Sequence, residues 1–149
     1  NERWLFKPNY CNYAALTIMG YWNHQLNDRF NYNIKGEWYK YFTDSLVQLQ
    51  NLPDYSINAN MLYAHSTKLH LSCGIFIFGT QQFINYESQQ PALKPWTDIN
   101  LGAEYQHSAI LKYYVKIHNM INQNTYRWDG YRQQNFNIVF GVSFNPLKS

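Results

Sequence analysis

The stretch Phe30-Asn31-Tyr32-Asn33-Ile34-Lys35-Gly36-Glu37-Trp38-Tyr39-Lys40-Tyr41-Phe42 decides the fold. Read in steps of two, Phe30, Tyr32, Ile34, Gly36, Trp38, Lys40 and Phe42 share one face, while Arg29, Asn31, Asn33, Lys35, Glu37, Tyr39 and Tyr41 share the other. Successive side chains of a strand point to opposite faces. The stretch is therefore one long strand with a greasy side and a wet side, the alternation that the wall of a transmembrane β-barrel requires.

The rest of the composition is consistent with that wall. The chain has 149 residues, about one domain, with 19% aromatic residues and only 14% charged ones. Its net charge of +3 is spread without a basic run, so nucleic acid is not expected as a partner. No stretch approaches the ~20 apolar residues of a spanning helix. The negative mean hydropathy of −0.52 does not argue against a membrane barrel, because half of every spanning strand is polar. The first residues lack the charged and apolar regions of a secretory signal, so the sequence reads as mature, processed or partial. Cys11 falls on the wet face and Cys73 on the greasy one, so no disulfide is expected between them.

Seven strands can be phased. The first spans about 4 to 22 with Trp4, Phe6, Tyr10, Ala14, Leu16, Ile18 and Trp22 outward, and the second is the stretch above. The third turns Tyr55, Ile57, Ala59, Met61 and Tyr63 outward, and the fourth Leu69, Leu71, Cys73, Ile75, Ile77 and Phe83. The fifth sets Ile99, Leu101, Ala103 and Tyr105 against Asp98, Asn100, Glu104 and Gln106. The sixth sets Leu111, Tyr113, Val115 and Ile117 against Lys112, Tyr114, Lys116 and His118. The last turns Phe136, Ile138, Phe140, Val142 and Phe144 outward. Phe76 and Phe78 break the pattern by pointing inward, which predicts either a bulge or a packing partner on the inner side.

Short turns near 23–29, 66–68 and 108–110 alternate with long connections near 43–54, 85–96 and 119–134. Outer-membrane barrels have this asymmetry, with short periplasmic turns and longer extracellular loops. Aromatic residues mark the strand ends as two interfacial girdles would: Trp22, Phe30, Tyr63, Tyr105, Tyr113 and Phe144 toward the short turns, and Tyr10, Phe42, Tyr55, Phe83, Trp96 and Phe136 toward the long connections. Single-chain bacterial barrels close with an even number of strands and end in the periplasm. Seven strands, the last running toward the short-turn edge, are therefore expected not to close alone. The expected partners are the lipid bilayer, upstream barrel strands of the same or a partner chain, and other outer-membrane proteins.

The segment Trp96-Thr97-Asp98-Ile99-Asn100-Leu101-Gly102-Ala103-Glu104-Tyr105, with the later run from Ile117 to Tyr131, resembles the closing strands of Bacteroidota outer-membrane barrels. It looks most like the C-terminal barrel region of TonB-dependent receptor-like proteins, in which an aspartate opens a D-x-N-x-G-x-x-Y strand and an N-x-x-N…Y…G-Y loop precedes the last strand. The likeness is clearest over residues 96–145. It implies that residues 1–149 are a segment of about seven strands, the C-terminal part of a larger antiparallel transmembrane β-barrel, located in the bacterial outer membrane and serving solute uptake. Two departures limit the transfer. The family usually ends on an aromatic residue, whereas Phe144 is followed by Asn145-Pro146-Leu147-Lys148-Ser149. No plug or energy-coupling segment is recognisable, so active transport is implied only together with an upstream portion that supplies them.

Catalytic and metal chemistry find little footing. His24, His65, His70, His107 and His118 show no H-x-x-H, H-E-x-x-H or Cys/His spacing, and most sit at turns or strand ends, where histidine is an interfacial group. There is no G-x-S-x-G motif, and Gly102 and Gly141 lack a phosphate-loop setting. Glu37, Asp98 and Glu104 could be read as an acid/base constellation, but each faces inward beside a cation: Lys35 near Glu37, and Lys112 and Lys116 near Glu104. Such interior charges stabilise a wet lumen and tune its selectivity. Neither an enzyme nor a cofactor is expected. Two other functions fit the same pattern: a non-transporting barrel that scaffolds an outer-membrane complex, and a soluble calycin-like binder with its greasy face turned inward.

Overall fold

The computed structural model describes residues 12–43, 52–82, 92–123, 126–128 and 131–146. Long alternating segments form β1 (Tyr13–Asn27), β2 (Phe30–Thr43), β3 (Tyr55–Ala64) and β4 (Leu69–Phe78). The short pairs β5 (Gln81–Gln82) and β6 (Ala92–Leu93) follow, then β7 (Trp96–Gln106) and β8 (Leu111–His118). A second short pair, β9 (Tyr126–Trp128) and β10 (Tyr131–Arg132), precedes the last long strand, β11 (Asn137–Phe144). The long strands make one seven-stranded sheet in the order β1-β2-β3-β4-β7-β8-β11, every neighbour antiparallel. The expected seven-strand meander is present.

The register preserves the phase from edge to edge. Ile18 faces Trp38, which faces Tyr55, and Ile34 faces Ala59, which faces Ile75 and then Ile99. Farther on, Ala103, Val115 and Phe140 form one row. A slip by one residue anywhere would exchange the faces, yet the ladder of β3, β4 and β7 runs without a break. The sheet is open among the described residues, with β1 and β11 as its edges.

Two details depart from expectation and a third decides between alternatives. β1 continues past Trp22 to Asn27, through a register shift between Gln25 and Asn27; Asn27 Oδ1 then accepts hydrogen bonds from the backbone N–H groups of Arg29 and Phe30, closing the turn. The long connections carry the two small ribbons, one pairing Gln81 with Leu93 and the other Tyr131 with Trp128. Finally, Phe76 and Phe78 sit in an unbroken ladder, which excludes the bulge. Residues 4–11 of the first predicted strand, with Tyr10 and Cys11, lie outside the described residues, as does Phe83.

Trp96, at 6% exposure, is the only buried hydrophobic residue among those described, while Phe140 stands 76% exposed. Large side chains such as Leu16, Ile18, Trp22, Trp38 and Val142 are also exposed on the apolar face. A soluble domain of this length buries most of its apolar surface in a core. This sheet instead leaves most of its large apolar side chains exposed on one face. No helix among the described residues is long and apolar enough to cross a membrane, which leaves β-strand crossing open.

Candidate functional site

The polar face of the sheet carries the chemistry, and the register arranges it in rows across the strands. One row runs Glu37, Ser56, Phe78 and Trp96; the next runs Lys35, Asn58, Phe76 and Asp98; a third runs Asn33, Asn60, Gly74 and Asn100. Nearer the short turns, Ser72, Gly102, Lys116 and Val139 align, as do His70, Glu104, Tyr114 and Gly141. Lys35, Glu37, Asp98, Glu104, Lys112 and Lys116 thus all occupy one face. They do not converge on one point. Glu37 and Asp98 are separated by three strand spacings, about 14 Å at ~4.8 Å each, and Asp98 and Glu104 by six residues of one strand, about 20 Å.

Local pairing holds these groups in place. Lys35 Nζ lies 2.9 Å from Glu37 Oε1, and Ser56 donates to Glu37 Oε2 at 3.3 Å. Lys112 Nζ meets Glu104 Oε2 at 2.9 Å. Lys116, expected near Glu104, instead stands over the Tyr114 ring, 5.5 Å from its centroid, because the register sets Lys116 against Gly102 and gives Glu104 to Tyr114. An amide ladder joins the strands: Asn60 Nδ2 donates to Asn33 Oδ1 at 3.1 Å and to Asn58 Oδ1 at 2.8 Å.

The two inward phenylalanines pack on the sheet itself. The Phe76 ring lies 3.3 Å from where a Cβ on Gly74 would stand, so the glycine leaves the space that the ring covers. Phe78 stacks on Trp96 with centroids 4.5 Å apart and planes 17° from parallel. This corrects the girdle assignment of Trp96: its register partner is Phe78, which puts it on the polar face, buried, instead of at a lipid interface. Phe42, opposite Ala14, keeps the outer face, as do Trp22, Phe30, Tyr105 and Phe144 at the other end, and Phe136 lies 45% exposed just before β11. Beside the aromatic stack, Trp96 Nε1, Asp98 Oδ1 and Gln81 Oε1 are buried with no hydrogen-bond partner among the described residues. Polar atoms of this kind are ordinarily satisfied by ordered water.

Asn119, the first asparagine of the N-x-x-N pattern, anchors the base of the connection after β8. It is buried at 7% exposure and holds φ at 48°, with Asn122 at 53°, a left-handed conformation that asparagine tolerates better than most residues. Its N–H donates to Asn100 Oδ1 at 3.3 Å, and its Nδ2 donates to the Gln134 carbonyl at 3.0 Å. Asn100 Oδ1 also lies 3.1 Å from His118 Nδ1. Asn122 Oδ1 accepts from the Phe136 N–H at 3.1 Å, and Gln123 Oε1 from the Thr97 N–H at 3.0 Å. Among the described residues no group of three His, Cys, Asp or Glu side chains could hold a metal ion.

No protein-family model and no curated protein sequence matches the chain. Solved outer-membrane receptors match its fold. The sheet superposes on the ferripyoverdine receptor of the outer membrane of Pseudomonas aeruginosa with a TM-score of 0.76 and 15% identity, over 90% of this chain and 20% of that one. The ferric-catecholate import receptor Fiu of E. coli K12 gives 0.75 and 8%, over 91% of this chain and 21% of its own. The siderophore receptor PiuA of Acinetobacter baumannii gives 0.75 and 11%, over 91% and 22%. The chain therefore spans about a fifth of the length of the receptors it matches. Its fold is that of a section of an outer-membrane receptor barrel wall. The neighbours are transport receptors, not enzymes.

Proposed function

We propose that this chain forms part of the wall of a TonB-dependent receptor-like barrel in the bacterial outer membrane, with the lipid bilayer against its apolar face and a wet lumen against its polar one. The observation that carries this reading is the continuous seven-strand register with one apolar and one polar face, in the fold of the siderophore receptors. Solute uptake is the function those receptors' fold supports best. A Bacteroidota source is supported by the strand and loop pattern of residues 96–131 alone.

In this reading the long connections near 43–54, 85–96 and 119–134 face the cell exterior and the short turns face the periplasm, in keeping with the length asymmetry. Further strands cover the edges β1 and β11, because unpaired backbone groups in hydrocarbon cost several kcal/mol each. A calycin-like binder would need a small closed barrel, and the described sheet ends instead in two open edges. Protease shaving of intact cells tests the orientation. Cleavage within 119–134 is expected, and cleavage confined to the turn at 66–68 would invert the topology.

A further inference from the structure

Three of the five histidines repeat one arrangement. Each strand that enters a short turn carries near its end an aromatic residue, one intervening residue and a histidine: Trp22-Asn23-His24, three residues inside the end of β1, and Tyr63-Ala64-His65 and Tyr105-Gln106-His107, which straddle the ends of β3 and β7. Alternation puts the aromatic ring and the imidazole of each triplet on the apolar face, and the rings are neighbours there, with the following centroid separations. His24 lies 6.2 Å from Trp22 and 5.7 Å from Tyr32, His65 6.1 Å from Tyr63, and His107 6.4 Å from Tyr105 and 5.9 Å from Tyr113. His70 and His118 are different: the register gives them to the polar face, opposite Glu104 and Asn137.

All three outer imidazoles are exposed and lie along one rim. The turns of that rim add the exposed cations Arg29 and Lys68, and Asp28 is the single acid among their described residues. An imidazole carries an N–H donor, which gains nothing from hydrocarbon. Immediately beyond an interfacial aromatic, its surroundings are lipid headgroups. Donor groups and a positive balance match one feature of that layer, the phosphate.

We propose that this rim is a binding surface for phospholipid phosphates, in which each imidazole donates a hydrogen bond to a phosphate oxygen while its aromatic neighbour packs on the glycerol and upper acyl chain. Arg29 and Lys68 supply the positive field. The proposal rests on the barrel reading above, since only a membrane-embedded sheet brings headgroups to this level.

The test uses the full natural protein reconstituted in phosphatidylcholine vesicles containing trace spin-labelled phosphatidylglycerol or spin-labelled diacylglycerol, which lacks phosphate. Electron paramagnetic resonance then reports the fraction of each probe held at the protein surface. The wild type should favour the phosphate-bearing probe, and the triple variant His24→Leu/His65→Leu/His107→Leu, which removes every side-chain donor at these positions, should lose about two- to fivefold of that preference, the range of exposed polar contacts. His70→Gln/His118→Gln should leave it unchanged. A preference equal in wild type and triple variant, with both probes still held, overturns the phosphate surface and leaves the barrel standing. No held fraction for either probe removes the barrel reading and this proposal together. If the triple variant assembles poorly, the single variants serve, each expected to lower the preference by part of the whole.

Discussion

The ring of Tyr114 occupies the space directly above Gly141, its register partner on β11, so that a side chain at 141 would collide with the ring. An aromatic residue covering a glycine on the neighbouring strand is a known device for pinning register in curved sheets. Gly20 differs, since nothing lies within 4 Å of a Cβ there.

Gly141→Ala should therefore destabilise the barrel by roughly 1–3 kcal/mol through overpacking, whereas Gly20→Ala should be neutral or stabilising by up to about 1 kcal/mol, because glycine in a strand has excess freedom when unfolded. The temperature at which the folded band disappears in a heat-modifiability gel measures both. Equal shifts for the two variants would contradict the packing at 141.

Phe140 and Val139 are neighbours on opposite faces of β11, both well exposed. Phe140 aligns with Val115 in the middle of the apolar face. An arginine at the lipid-facing midplane of a barrel costs about 2–4 kcal/mol, so Phe140→Arg should impair membrane assembly strongly and Val139→Arg only slightly. Matching yields of assembled protein would overturn the assignment of the faces.

Asn119→Ala removes two side-chain donations and places alanine at a φ of 48°, for an expected loss of roughly 2–4 kcal/mol locally. Asn119→Gly keeps the conformation and should lose only the hydrogen bonds. Limited proteolysis between residues 119 and 136 should accelerate in the order wild type, glycine, alanine. The reverse order of the two variants would show that conformation contributes nothing.

The Lys112–Glu104 pair spans 2.9 Å with side chains 38% and 42% exposed. At that exposure an ion pair contributes between about 0 and 1 kcal/mol. Lys112→Met should leave thermal stability within that margin while altering the cation preference of conductance through the reconstituted pore. A large stability loss with unaltered conductance would make the pair structural.

The faces were legible in the sequence because a wall with lipid on one side and water on the other forces alternation upon every spanning strand, and Ile34, Ile75, Val115 and Ile138 obey it. Trp96 was misplaced because its position near a strand end suggested a girdle, although its spacing from Asp98 already assigned it to the polar face. β5–β6 and β9–β10 were invisible, since two or three residues carry no period. Asn119 and Asn122 did signal a turn, yet only the structure brings Asn119 to Gln134 and Asn122 to Phe136. The rows of the polar face depend on register across strands, which no single strand encodes.

The seven-strand meander has one more consequence. Each hairpin reverses the chain, so β1 and β11, with five strands between them, run in the same direction. Joining these two edges to each other would create a parallel seam in an otherwise antiparallel ring. Any piece that completes the ring while keeping every pairing antiparallel must insert an odd number of strands between them, whether it comes from the same polypeptide or from another.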